Sequence, residues 1–389
     1  PKPQNPFFFK FCYLYYIMKS TLALLLASGT SAKECKALAM SGGGAKGSYE
    51  AGALWGLYYT DTDKTKYEYD VVTGVSAGAI NTAAVSLFAP GDEVNMLNFL
   101  SEQWQTLTEK QVFTSWKPAG IITGLLDYSG VFDTTPLMNL LDGIFKDHDY
   151  ELKRKITVSC ADVNSGNYIT FDETHENYAK MVVSSASIPF AFPHQIWEGE
   201  LPDGSNVVCM DGGTVYNTNL VSAVNKCRET VDDDSEITLD IVICDSAEID
   251  TWEDEGNAIN NFLRYRSIKE YHSKVADIYD FKMAYPKVNF RYYLEPSTPL
   301  PGGLAILNFN NQTSTFPMQM MGRLDGENAI KQGEGFMYGK MEEYRESPEL
   351  QKQYPKIGDY LRTHVKSQAK KYRRERRRPG VTNEEEEDL

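Results

Sequence analysis

A serine hydroxyl attacks an ester only if something takes its proton and something else steadies the charge that forms. The informative residues in this chain are therefore a serine, a glycine-rich loop and a candidate base. The serine is Ser76, within Val71-Val72-Thr73-Gly74-Val75-Ser76-Ala77-Gly78-Ala79-Ile80. That run reads as a strand, a Gly-x-Ser-x-Gly turn and the start of a helix, a shape that lifts one hydroxyl out at the top of a sheet. Gly74 and Gly78 supply the sharp turn and the close approach of helix to strand. Taken alone, the pattern is equally a small-residue turn, and its weight comes from what surrounds it.

A second glycine loop stands upstream. Lys36-Ala37-Leu38-Ala39-Met40 is a short apolar strand that runs into Ser41-Gly42-Gly43-Gly44-Ala45-Lys46-Gly47, and a helical stretch follows from Ser48 to Tyr59. A tetrahedral intermediate needs preorganised N–H donors, and consecutive glycines free the backbone to turn its amides toward one point. Gly42, Gly43, Gly44, Ala45, Lys46 and Gly47 are the candidate oxyanion hole. If the strands entering the two loops lie side by side and parallel, both loops leave the same edge of the sheet and the donors face Ser76. The spelling Gly42-x-Gly44-x-x-Gly47 also fits a dinucleotide fingerprint, with Asp61, Asp63 or Glu68 as the ribose ligand. Against that alternative, the next strand ends in the serine turn and not in a carboxylate.

The base is harder to find. A Ser, Asp, His order calls for a late histidine at a strand end. Of His148, His175, His194, His272 and His364, the last borders a charged tail, His272 falls in a helical pattern and His194 precedes the acid. Asp211-Gly212-Gly213, at the end of the strand-like run Asn206 to Met210, is by itself ordinary turn chemistry. Direct deprotonation of Ser76 by Asp211 is the workable option that remains, provided one carboxylate oxygen comes within hydrogen-bond reach.

Ser41 to Gly47, then Gly74 to Gly78, then Ala186-Ser187-Ile188-Pro189 with Phe192-Pro193, then Asp211-Gly212-Gly213, in that order, resemble the patatin-like phospholipase family over residues 36 to 230. The resemblance implies an α/β fold, a three-layer α/β/α sandwich whose central, mostly parallel sheet carries the nucleophile elbow. It also implies lipid acyl ester hydrolysis by a serine and aspartate dyad, with Ser76 as nucleophile, Asp211 as base, and Gly42 to Gly47 as oxyanion hole. Gly74, Gly78, Gly212 and Gly213 support the motifs, and no metal or other cofactor enters the chemistry. Many members begin the glycine loop with aspartate where this chain has Ser41.

The surrounding elements read as follows. Residues 94 to 146 are mostly helical, with an apolar loop from Gly120 to Asp133 expected to border an acyl-chain pocket. A hairpin covers 155 to 172, and a small-residue helix after Met181 is broken by Pro189. Strands follow at 237 to 244 and 287 to 294, with a helical region from 259 to 284 between them and an amphipathic one from 318 to 344 after them. Trp104 and Trp116 read as core. Cys160, Cys209 and Cys244 lie in strand-like runs as small hydrophobes, and a bridge involving Cys35 or Cys227 stays open.

At 389 residues and 42% hydrophobic content, the chain can bury a large core. Its net charge of −15 argues against a nucleic-acid partner. From Met18, a short apolar run ending in small residues has the layout of a secretory signal, which divides the chain into an upstream and signal segment (1–32), a catalytic domain (33–365) and a charged tail (366–389). Asn311-Gln312-Thr313 is a glycosylation sequon. The expected protein is a secreted or endomembrane lipid acyl hydrolase acting on lipid at a membrane or micelle surface. A dinucleotide-dependent enzyme and an idle lipid-binding or storage protein are the alternatives; oligomeric state is not legible.

Overall fold

The computed structural model describes residues 33–245, 261, 264–265, 268 and 277–364. The first segment (1–32), the tail from 366 and most of the expected helix at 259 to 284 lie outside the described residues. The described fold is that of the unit from Cys35 onward.

The scaffold is one eight-stranded sheet. Its strands are β1 (Cys35–Met40), β2 (Val71–Gly74), β3 (Lys155–Asp162), β4 (Tyr168–Asp172), β5 (Gln195–Trp197), β6 (Val207–Asp211), β7 (Ile237–Val242) and β8 (Asn289–Leu294). They lie in the order β8-β7-β1-β2-β3-β6-β5, with β4 paired to β3. The run from β8 to β3 is parallel, whereas β4, β5 and β6 are added antiparallel. Parallel strands are covered on both faces and read as continuous apolar runs, as β1 does. Leu38 and Met40 point into one core, and Ala37 and Ala39 into the other.

Helices fill both layers. On one face lie α1 (Gly47–Thr60), α2 (Ala77–Ser86), α3 (Glu93–Thr106), α5 (Thr135–Asp147), α6 (Tyr178–Ser185) and α8 (Phe316–Gln332). On the other lie α7 (Leu220–Cys227) and α9 (Phe336–Glu346). A short helix, α4 (Ile121–Asp127), stands between α3 and α5 in the chain. The expected three-layer α/β/α sandwich with a mostly parallel sheet is what the chain forms. Among the described residues, no helix is long and apolar enough to cross a membrane.

The contact of α1 with α8 is unusually close. Gly52 and Gly56 of α1 lie against the carbonyls of Gln319 and Arg323, and Gly322 and Gly326 of α8 lie against those of Tyr49 and Ala53. Each helix seats its backbone in the gap left by the other's missing side chains, a separation no larger residue permits.

Three expectations change. Cys160 and Cys209 are not separate packed thiols but a disulfide joining β3 to β6, and Cys35 pairs with Cys227, tying β1 to the end of α7. Cys244 stays a buried free thiol. The helical region expected over 318 to 344 is two helices, α8 and α9, divided where Gly333 and Gly335 take positive φ of 92° and 71°. In the 120 to 133 loop, expected to border an acyl-chain pocket, the apolar side chains of Ile121, Ile122, Leu125 and Leu126 are exposed. Trp104 is core as expected, while Trp116 stacks on Tyr128 with ring centroids 3.7 Å apart.

Candidate functional site

The site forms where two strand ends meet. Along one edge of β3, the parallel strand β2 pairs with Lys155 to Val158, and the antiparallel strand β6 pairs with Cys160 to Asp162. Because β2 and β6 run in opposite directions, their carboxyl ends face each other. Gly74 is opposite Val158 and Asp211 is opposite Cys160, so the two ends are separated by only two residues of β3, about 7 Å at the rise of a strand. The loops carrying Ser76 and Gly212-Gly213 both leave the sheet at that junction.

Ser76 is the second residue past β2, at φ 54° and ψ −115°, and α2 begins at Ala77. A non-glycine residue held at positive φ stores strain of about 1–3 kcal/mol, which the surrounding structure must enforce. It does so partly through Gly78, where a β-carbon would sit 2.6 Å from the Met40 carbonyl oxygen and 2.7 Å from that of Ser41. The Ser76 amide donates to Ser185 Oγ at 3.0 Å, and the Asp211 amide donates to the Ser187 carbonyl at 2.9 Å. The end of α6 thus grips both strand ends. Ser76 and Asp211 are 4% and 7% exposed, so each is shielded without being sealed off.

The glycine loop closes the third side. Its strand, β1, is parallel to β2 as expected, with Met40 opposite Gly74. Gly42 donates its N–H to the Asn217 carbonyl at 3.0 Å and accepts from Asn217 Nδ2 at 3.0 Å, so one residue clamps both of its backbone groups. A β-carbon on Gly42 would lie 3.0 Å from Ser76 Cβ and 2.6 Å from Asn217 Oδ1; one on Gly213 would lie 2.6 Å from the same Asn217 oxygen and 3.0 Å from Asp211 Oδ1. Ser76 and Asp211 therefore flank Asn217 across two glycines. Asp211 Oδ1 also accepts the Gly213 N–H at 2.8 Å. The Asp211 charge adds to the burial that raises the Tyr168 phenol above its ordinary value.

The six loop residues divide. The Gly42 amide is engaged by Asn217, Lys46 donates its N–H to the Gly43 carbonyl, and Gly47 opens α1. Among the described residues, no acceptor takes the N–H of Gly43 or Gly44, and Gly44 sits at φ 60°. Ala45 is buried in the first core. The Lys46 ammonium is 2.5 Å from Asp245 Oδ1, whose other oxygen is 3.5 Å from Asn217 Nδ2. Gly74 and Gly212 serve as close-packing positions at the strand ends, Gly212 against the Ser159 carbonyl.

None of the described histidines donates to or accepts from Ser76 in this arrangement. His148 packs between Phe88 and Phe99, His175 meets Asp172 and Glu200, and His194 donates its backbone N–H to Ser129. His364 donates from Nδ1 to the Tyr360 carbonyl at 3.2 Å, within its own turn, and His272 lies outside the described residues.

Motif reading missed a buried polar group beneath the loop. Glu50 Oε1 accepts the Ser41 N–H at 2.9 Å and the Ser41 hydroxyl at 3.3 Å, Oε2 accepts from Asn81 Nδ2 at 2.9 Å, and Asn81 Oδ1 takes Trp104 Nε1 at 2.7 Å. The Ser41 hydroxyl also accepts the Cys244 N–H at 2.8 Å. The carboxylate that meets Ser41 comes from nine residues on, in the first turn of α1. Burial pushes Glu50 up to about 8, against the pull of its Cys244, Asn81 and Ser41 donors. The folded protein therefore holds this proton more tightly than the unfolded chain. The resulting stability is fully present below the ordinary value of 4.5 and is lost as pH rises through about 8. Thermal unfolding scans of wild type and Glu50→Gln should show the wild type losing ground to the variant between about pH 5 and about pH 8. The buried Glu295, itself raised to about 7, is common to both proteins and cancels in the difference. A difference that stays flat across the window would mean that Glu50 is ionised throughout.

The comparisons with known proteins follow this geometry. Among curated proteins none matches the sequence with significance. Solved structures similar to this chain include VipD from Legionella pneumophila (10% identity, 80% of this chain and 76% of that one, TM-score 0.30). They also include ExoU in its heterodimeric complex with SpcU from Pseudomonas aeruginosa (12%, 89% and 60%, TM-score 0.31), and the type III effector ExoU by itself (13%, 87% and 63%, TM-score 0.29). The chain spans about three fifths of the length of the ExoU chains. The family model described as Patatin-like phospholipase matches residues 38–224, from the first strand through the elbow and Asp211 into α7, and the chain carries a domain of that family.

Proposed function

We propose that this protein is a lipid acyl hydrolase that cleaves carboxylic esters of phospholipids or related lipids through an acyl-enzyme on Ser76. The observation that carries the reading is the head-to-head convergence of β2 and β6 on β3, with Ser76 and Asp211 flanking Asn217. In this reading Asp211 takes the Ser76 proton as the hydroxyl oxygen attacks the ester carbonyl carbon. The tetrahedral oxyanion is met by the unengaged N–H groups of Gly43 and Gly44, with Asn217 holding Gly42 so that the loop does not have to reorganise. Collapse breaks the bond to the leaving alcohol, and protonated Asp211 returns the proton to it. A water deprotonated by Asp211 then releases the fatty acid and restores the serine. Every step is carried by residues of this chain.

We further propose that the protein works on the secretory route. The apolar run after Met18 and two disulfides, Cys35–Cys227 and Cys160–Cys209, suit an oxidising compartment.

Labelling with a fluorophosphonate lipid mimic, followed by peptide mass mapping, tests the function directly. One adduct on the peptide that contains Ser76 is expected. No adduct, together with retained lipid binding, would identify an idle binding protein, and an adduct on another serine would remove the assignment.

A further inference from the structure

We propose that α4, with Tyr128 and Phe190 beside it, is the surface by which this protein seats itself on a zwitterionic phospholipid bilayer. The inference rests on the lipid-hydrolase reading for its choice of partner and adds to it the place and manner of docking. Four large aliphatic side chains of α4 face solvent, and Leu126 is 78% exposed. They are not the loose side of a mobile loop. Thr123 and Gly124 form the buried face: Gly124 lies against the Val131 carbonyl, and Thr123 Oγ1 accepts the Ala119 N–H at 3.1 Å. Trp116, stacked on Tyr128, donates its indole N–H to the Gly130 carbonyl at 3.0 Å. The helix is held by its small residues so that its large ones are presented outward, at an energetic disadvantage in water that burial in an acyl layer would reverse.

The patch joins the candidate site through the backbone. Val131 donates to the Phe190 carbonyl and Phe132 to that of Ala191, while Phe190 itself is exposed at φ 72°. Three residues before Phe190, the Ser187 carbonyl receives the Asp211 amide. A surface that takes up the patch is therefore brought to the rim from which an acyl ester would enter. Aromatic side chains at the margin of an aliphatic face suit the boundary between head groups and acyl chains.

Charge selects the kind of surface. From Trp116 to Val131 the chain has two charged residues, Lys117 and Asp127, which cancel, and the protein as a whole carries −15. No net charge in that stretch draws the patch to anionic lipid, and the net charge of the chain opposes it. A net-neutral surface is the partner this chemistry fits.

The test uses the full chain carrying Ser76→Ala, so that lipid is not consumed, and sedimentation with phosphatidylcholine vesicles. Adding Ile122→Asp and Leu126→Asp should weaken partitioning by at least about 10-fold, since two aliphatic anchors are replaced by charges. Val221→Asp, at an exposed apolar position on α7, should leave partitioning unchanged. With Ser76 intact, the same patch variants should keep wild-type turnover of a short-chain soluble ester and lose turnover of vesicle lipid. Leu126→Ser alone serves if the double variant does not fold. Unchanged partitioning would overturn the proposal. So would an equal loss in Val221→Asp, or a patch variant that changes only oligomeric state, which would make this face a contact between copies. A wild type that binds vesicles through the patch yet never cleaves the soluble ester would sink the hydrolase reading and leave the docking surface standing.

Discussion

Alanine at position 76 is expected to reduce turnover of a medium-chain p-nitrophenyl ester by on the order of 10⁴-fold or more, the scale on which loss of a nucleophile is felt. Ser76→Gly should be equally inactive but more stable, by roughly 1 kcal/mol, because glycine occupies φ 54° without the strain a side chain meets there. That pair separates chemistry from folding: both variants lose rate, and only one changes the melting temperature. Asp211→Asn completes the set. Its amide oxygen can still accept the Gly213 N–H, so the turn survives while the basicity is gone, and the rate should fall by roughly 10³-fold or more. Steady-state kinetics with KM close to wild type would mark these as losses in the chemical step. Either Ser76→Ala or Asp211→Asn retaining a tenth of the wild-type rate would take that residue out of the mechanism.

The second large effect belongs to Gly42. Alanine there would set a β-carbon 3.0 Å from Ser76 Cβ and 2.6 Å from Asn217 Oδ1, between the nucleophile and the residue that clamps the loop. The backbone must move, and the amides of Gly43 and Gly44 move with it. Losing one well-aimed oxyanion donor costs about 10²–10³ in kcat, and Gly42→Ala should fall in or below that range with its melting temperature within a few degrees of wild type. The contrast with Gly44 is instructive. At φ 60° and against the Ile306 carbonyl, a substitution there disturbs both conformation and packing, so its rate loss would not be interpretable as a loss of donors alone. If Gly42→Ala kept full activity, the loop would have no part in stabilising the oxyanion.

Much of the architecture around Ser76 was legible because local chemistry dictates it. Met40 to Gly47 and Val71 to Gly78 each spell strand, glycine turn and helix in adjacent residues, and buried parallel strands announce themselves as apolar runs. The hairpin of β3 and β4 was equally local. What could not be read depends on partners distant in sequence. The antiparallel direction of β6, which makes its end confront that of β2, is set by packing and not by any residue within it. Gln195–Trp197 is too short to show an alternation. The Cys160–Cys209 bond follows from that same pairing, 49 residues apart. Asn217 lies 175 positions from the glycine it clamps, and the Ser41 hydroxyl meets a backbone amide 203 positions away. Glu50 is a single acidic residue in an otherwise small and apolar helix, and that mismatch with its surroundings was the one available signal.

The interlocked glycines of α1 and α8 bear on where this chain could be cut. The family match stops at residue 224, yet α8, built from residues 316 to 332, supplies the surface on which the helix leaving the glycine loop rests. A fragment ended at that boundary would strip β7 from β1 and leave Gly52 and Gly56 as a bare furrow on α1. The glycine and serine motifs thus depend on a later stretch of chain that contains none of them, much as a keystone depends on the abutment.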